Sequence, residues 1–232
     1  MHSDSSSIVC IVDCYISTGD GLVSIKSGWD EYGISFARPS SDITILRLAG
    51  SSGQGAGIAL GSEMSGGISA VSTEGLRLSN SLHGIRIKTS PGRGGYIWHV
   101  YIADIVMTDV EIAVRITGEF GEHPDENFDR NTLPLINKIT IRDVVGLNIS
   151  VDGLLERIEG DNFSDICLAN VLLNVTSDHH PWKCLHISGY SNLVLPESCE
   201  PLRGEAPIHS SACYVPENLR PQGFDWKWSV SS

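Results

Sequence analysis

An all-β chain wound as a parallel β-helix is the fold class this sequence predicts, and three observations lead there. Short runs with apolar residues at alternate positions recur along the chain, each closed by Gly, Ser or Asn. Their members return at intervals of roughly 25 to 40 residues, as coils of a solenoid do when loops of varying length are inserted between strands. No long 3.6-residue periodicity with helix caps lies between them, which disfavours βαβ units. A sandwich would carry more hairpin signals than Asp20-Gly21 and Asp152-Gly153.

Taken in order, the runs fall into two sets. One contains Val9-Cys10-Ile11, Ile43-Thr44-Ile45, Leu76-Arg77-Leu78, Val100-Tyr101-Ile102, Ile139-Thr140-Ile141 and Ile166-Cys167-Leu168. The other contains Val23-Ser24-Ile25, Ile58-Ala59-Leu60, Ile85-Arg86-Ile87 and Val114-Arg115-Ile116. Gly118 to Pro134 breaks the rhythm with five acids and reads as a solvated insertion loop, its spacing matching no calcium pattern. From about residue 177 the chain turns irregular, rich in Pro, Cys and Trp, and is expected to cap the last coil. One β-helix domain over 1–215 and a frayed tail over 216–232 follow.

Composition narrows the partners. The 232 residues carry a net charge of −12, which argues against nucleic acid and anionic membranes. No apolar run approaches the ~20 residues of a membrane span, and Met1 to Ser7 has neither the basic nor the apolar region of a signal peptide. The six cysteines include no CxxC pair, which disfavours a zinc site, and no other metal or cofactor is expected. Four of them lie in the last third, where small disulfide-closed loops would serve. Sequons begin at Asn148, Asn162 and Asn174, which together with even cysteines favours a secreted glycoprotein.

Three places could carry chemistry. Gly19-Asp20-Gly21 is a tight turn that displays one acid at the mouth of a strand. Arg86 and Lys88 alternate with Ile85 and Ile87, so both cations project from one strand face, and Arg93 follows nearby. Such cations on an acidic chain suit carboxylates, although a solvated face with ordinary surface cations gives the same pattern. Gly53-Gln54-Gly55-Ala56-Gly57 permits close approach of backbone or ligand, but no helix follows to make it a dinucleotide loop. His83, His99, His179, His180 and His186 have no spacing that pairs them with a nucleophile, and they read as structural or surface histidines.

With these residues in view, the chain resembles the C-terminal part of a plant polygalacturonase-like protein of glycoside hydrolase family 28. The resemblance runs through Gly19-Asp20-Gly21-Leu22-Val23-Ser24-Ile25-Lys26-Ser27-Gly28-Trp29-Asp30, Gly57 to Gly67, Gly84-Ile85-Arg86-Ile87-Lys88-Thr89, Gly92 to Tyr96, Glu122-His123-Pro124-Asp125 and the Cys184 to Cys199 region. It implies a right-handed, pectin-lyase-like β-helix lacking its N-terminal coils, and a monomer in the cell wall. The implied reaction is hydrolysis of pectic α-1,4-galacturonan with inversion, which needs one acid for the leaving oxygen and carboxylates that activate water. Carried over, Asp20 matches the general acid, and Arg86 and Lys88 match the pair that holds the galacturonate carboxylate. The adjacent acid of the family's Gly-Asp-Asp motif is Gly21 here, its Asn-Thr-Asp acid would fall before Met1, and its glycine-flanked histidine is Ala56. The expectation is therefore a truncated, impaired hydrolase. The alternative is a pectin-binding protein without turnover, or a fragment without function.

Overall fold

A computed structural model describes residues 1–161, 163–176, 182–204 and 213–217. The strands in chain order are β1 (His2–Asp4), β2 (Ser7–Thr18), β3 (Val23–Lys26), β4 (Ser40–Ser52), β5 (Ala56–Leu60), β6 (Ile68–Lys88), β7 (Tyr96–Thr117), β8 (Leu135–Glu156), β9 (Phe163–Val175), β10 (Lys183–Leu185) and β11 (Ile187–Leu195). Among the described residues a single α-helix, the seven-residue α1 (Asp30–Phe36), leaves the stack after β3. Every strand pair is parallel, and each coil lies directly on the next. That is a parallel β-helix, as the sequence predicts.

Strands of 21 or 22 residues are far too long to be straight, and they bend at single residues in the left-handed region. Asp13, Arg47, Asp104, Asp143, Asn170 and Leu193 all have positive φ and occupy one register column, with Gly75 between Arg47 and Asp104. Ile8, Asp42, Ala70, His99, Lys138 and Asp165 form a second such corner. Asp and Asn tolerate this conformation because their short polar side chains hydrogen-bond locally. Polar pairs brace the first corner: Arg47 grips Asp13 at 2.5 and 2.8 Å, Arg77 reaches Asp104 at 3.0 Å, and Asn170 donates to Asp143 at 2.8 Å.

Inside, aliphatic columns fill the coil. Val23, Ile58, Ile85 and Val114 stack in register, as do Ile25, Leu60, Ile87, Ile116 and Leu155, and all of them are sealed from solvent. The column begun by Val23 reaches Gly153, where the ring of Trp182 fills the space a Cβ would take. One member of the other predicted set is displaced. Leu76-Arg77-Leu78 belongs to a third face with Leu48, Ile105, Val144 and Val171, and the partner of Ile43 and Val100 is Val71. The polar Thr73, sealed between Ile45 and Ile102, hides that run from an alternation reading.

Beyond residue 177 the chain is more regular than the sequence suggests. Among its described residues β10 and β11 extend the stack on β8 and β9 before the short Glu200–Leu202 turn of 3-10 helix. Disulfides join Cys167 to Cys213 and Cys184 to Cys199, while Cys10 and Cys14 are free. The side chains of Asn148 and Asn174 lie at exposed positions; Asn162, His179, His180 and most of the 216–232 tail lie outside the described residues. Among the described residues, no helix is long and apolar enough to cross a membrane.

Candidate active site

The outward face of β3, β5 and the last thirds of β6 and β7 brings Asp20, Arg86 and Lys88 to one surface. Arg86 sits opposite Ala59 on β5, which sits opposite Ser24 on β3, so only small side chains floor the space between Asp20 and the cations. Asp20 is exposed at the end of this floor. Its turn is held from three sides. Gly21 N–H donates to Asp20 Oδ1 at 2.7 Å, Ser52 Oγ donates to the Asp20 carbonyl at 2.5 Å, and Leu22 N–H donates to the Ala56 carbonyl at 2.9 Å.

The glycine run after β4 serves this turn. A Cβ on Gly55 would lie 2.2 Å from Gly21 N and 2.3 Å from the Asp20 carbonyl carbon, so the close approach is of backbone on backbone. Gly57 similarly lets β5 settle against the Gly84 carbonyl and the Leu76 and Leu78 side chains.

Arg86 and Lys88 are half-buried. Burial draws the Lys88 ammonium below its ordinary pKa, the neighbouring Arg86 charge adds to this, and Glu63 and Asp20 oppose it. Arg86 is drawn down by burial and by Arg115, with Asp20 and Glu122 opposing. Glu63 is committed to Lys26 at 2.7 Å; burial raises its carboxyl, and the Lys26 hydrogen bond, a backbone hydrogen bond and the Lys26 and Lys88 charges together outweigh that and hold it below the usual range. Over both cations lies the Phe120 ring, its centroid 4.5 Å from Lys88 Nζ and 5.3 Å from Arg86 Cζ.

Phe120 belongs to the acidic 118–134 loop, which is anchored rather than merely solvated. Phe120 N–H donates to the Thr89 carbonyl at 3.0 Å, Tyr32 Oη reaches Asp125 at 2.5 Å, and Gly92 and Gly94 N–H both donate to the Thr132 carbonyl. His123 stacks on Phe128 at 3.5 Å and lies 2.6 Å from Asp30 Oδ2. Asp30 also takes Arg93, whose second terminal nitrogen donates to the Glu122 carbonyl. Arg93 and Asp30 are wholly buried. Arg93 therefore does not join Arg86 and Lys88, as their proximity in sequence suggests; the buried Asp30 carboxylate claims it instead. No spacing rule links residues so far apart, so this triad carries no sequence signal.

His83 is buried rather than at the surface. It pairs with Ala56 across strands and faces the charges of Arg86, Arg115 and Lys88. Burial first, and those cations second, lower its pKa to about 4, so it stays neutral near pH 7. Its Nδ1 is buried without a hydrogen-bond partner. The described residues hold no group of three or more His, Cys, Asp or Glu arranged for a metal ion.

The chemistry available is that of a positive trough with one free acid at its end, suited to an anion that also presents a bond to protonate. Known proteins resemble the chain over most of its length. The model of the glycosyl hydrolases family 28 matches residues 1–194. A probable polygalacturonase of Vitis vinifera is 41% identical over 223 residues, which is 95% of this chain and 45% of that protein. A probable polygalacturonase of Arabidopsis thaliana is 25% identical, with 94% of this chain and 48% of that protein covered. An exopolygalacturonase from Thermotoga maritima superposes with a TM-score of 0.69 at 27% identity, covering 75% of this chain and 38% of that one. The chain spans about half the length of the curated relatives it matches.

Proposed function

This chain belongs to glycosyl hydrolases family 28, and from that membership we propose that it takes pectic galacturonan as its ligand, with Asp20 as leaving-group acid and Arg86 and Lys88 gripping a galacturonate carboxylate. One observation carries the reading: Asp20, Arg86 and Lys88 share one face across a floor of small residues, with the Asp20 charge reaching both cations. A guanidinium and an ammonium side by side fit a carboxylate, the first as a fork and the second as a point charge. An acidic chain has little other use for half-buried cations that, among the described residues, form no ion pair with a carboxylate. The setting for such a ligand is the plant cell wall, as the plant polygalacturonases among its relatives suggest.

Turnover by inversion also needs a carboxylate that activates water opposite the acid. Gly21 stands where the resemblance expects one, and Glu63 is tied to Lys26. We therefore infer weak hydrolysis with retained binding. Reducing-end release from polygalacturonate, measured for this chain and for Asp20→Asn, tests it. Slow release abolished by the substitution supports the acid role. Release as fast as that of an active polygalacturonase overturns the impairment. Salt-sensitive binding without any release, weakened by Arg86→Ala, favours a pectin-binding module instead.

A further inference from the structure

The proposed grip leaves one cation of the trough unused. Arg115 on β7 is the register partner of Arg86 on β6, between the core residues Val114 and Ile116, so it projects outward beside Arg86. Strands lie about 4.8 Å apart, and like charges placed directly opposite destabilise a sheet. Among the described residues, no carboxylate forms an ion pair with either guanidinium, and Nε of both is buried without a hydrogen-bond partner. Shortage of acids is not the reason, since the chain has 28 acidic residues against 16 basic ones. Other strand arginines do find partners: Arg47 takes Asp13, Arg77 takes Asp104 and Arg142 takes Asp143. The buried, unpartnered Nδ1 of His83 adds a third unmet polar atom to the same spot.

Two unneutralised guanidiniums and a neutral imidazole at the base of a trough are an arrangement completed by an anion from outside. We propose that Arg115, beside Arg86, forms a second carboxylate-binding position one coil along from the Arg86–Lys88 grip, which takes the carboxylate of another uronate unit in the same oligosaccharide. The inference rests on the pectic reading of the trough. It makes Arg115 a specificity residue: it rewards a ligand with carboxylates on more than one unit and gives a single uronate nothing.

Calorimetric titration of the full chain with galacturonate and with trigalacturonate tests this, alongside Arg115→Gln. The expected result is a roughly tenfold loss of trigalacturonate affinity in Arg115→Gln with galacturonate affinity unchanged. The unliganded variant should also melt at a higher temperature, because the repulsion with Arg86 is gone. A merely structural arginine would do the opposite, so a lower melting temperature overturns the proposal, as does unchanged trigalacturonate affinity. If the wild type binds neither uronate but binds the short dicarboxylate glutarate in an Arg115-dependent way, the pectic reading fails and the paired-guanidinium anion site stands. Binding of none of the three overturns both.

Discussion

Asp30 divides its carboxylate between two bases, receiving Arg93 on Oδ1 while Oδ2 lies 2.6 Å from His123 Nδ1. This ties the 118–134 loop to α1 from beneath, and the loop in turn holds Phe120 over Arg86 and Lys88. Asp30→Asn would leave the wholly buried Arg93 without a counter-charge. The expected cost is about 3–5 kcal/mol of stability, read as a lower urea midpoint at unchanged slope.

His83 gives the protein a pH dependence of definite sign. Folded, it takes up a proton only near pH 4; unfolded, it does so near its ordinary value of 6.5. Between those values the unfolded chain binds more protons, so acidification from 6.5 to 4 should destabilise the fold by at most about 1.4 kcal/mol per unit. Above 6.5 the residue contributes no slope. Thermal melts of wild type and His83→Asn across pH 4 to 7 should differ in slope only inside that window.

Gly21 can receive the acid it lacks. Its φ is not in the left-handed region, and a Cβ there would meet the rotatable Ser24 hydroxyl at 3.0 Å, the Ala56 carbonyl oxygen at 3.5 Å and the Ala56 nitrogen at 3.9 Å. Gly21→Asp should fold with a change in stability of no more than about 1 kcal/mol. A positioned general base contributes on the order of 10²–10⁴-fold, so reducing-end release should rise measurably over the wild-type chain. Unchanged release from a folded variant would show that the missing acid is not what limits this site.

Gly55 is the opposite case. Even the methyl of Ala at this position runs into the backbone of Asp20 and Gly21 at 2.2–2.3 Å, where no rotamer gives way. Gly55→Ala should cost about 1–3 kcal/mol and displace the Asp20 turn, weakening any hydrolysis more than binding at Arg86 and Lys88. Parallel turnover and binding measurements separate the two effects.

The sequence made the interior of the coil legible wherever aliphatic alternation was unbroken, as in Val23, Ile58, Ile85 and Val114. It misled where a buried polar residue took an interior place: Thr73 diverted the reading to Leu76. The αL corners stayed invisible because Asp13, Arg47 and Asn170 look like ordinary breaks between strands, whereas the backbone bends there and continues. In the site, period-two spacing placed Arg86 and Lys88 correctly relative to each other. The burial of Arg93 is not legible because its partners, Asp30 at the start of α1 and His123 in the 118–134 loop, are distant in sequence. Arg115 did have a signal: Val114-Arg115-Ile116 repeats the pattern of Ile85-Arg86-Ile87 one coil later, and a cation repeated at the coil period stands beside its predecessor.

The column of Asp13, Arg47, Gly75, Asp104, Asp143 and Asn170 settles which coil lies on which. Valine, isoleucine and leucine are nearly interchangeable along the interior, so a strand slipped by two residues would still bury oily side chains and lose little by that measure. The same slip would force β-branched residues into left-handed backbone and part Asp13 from Arg47 and Asn170 from Asp143. The polar edge thus works as a reading frame for assembly. A substitution at one of these exposed corners should do its damage as misaligned, aggregation-prone chains during folding, even where the finished coil would have tolerated it.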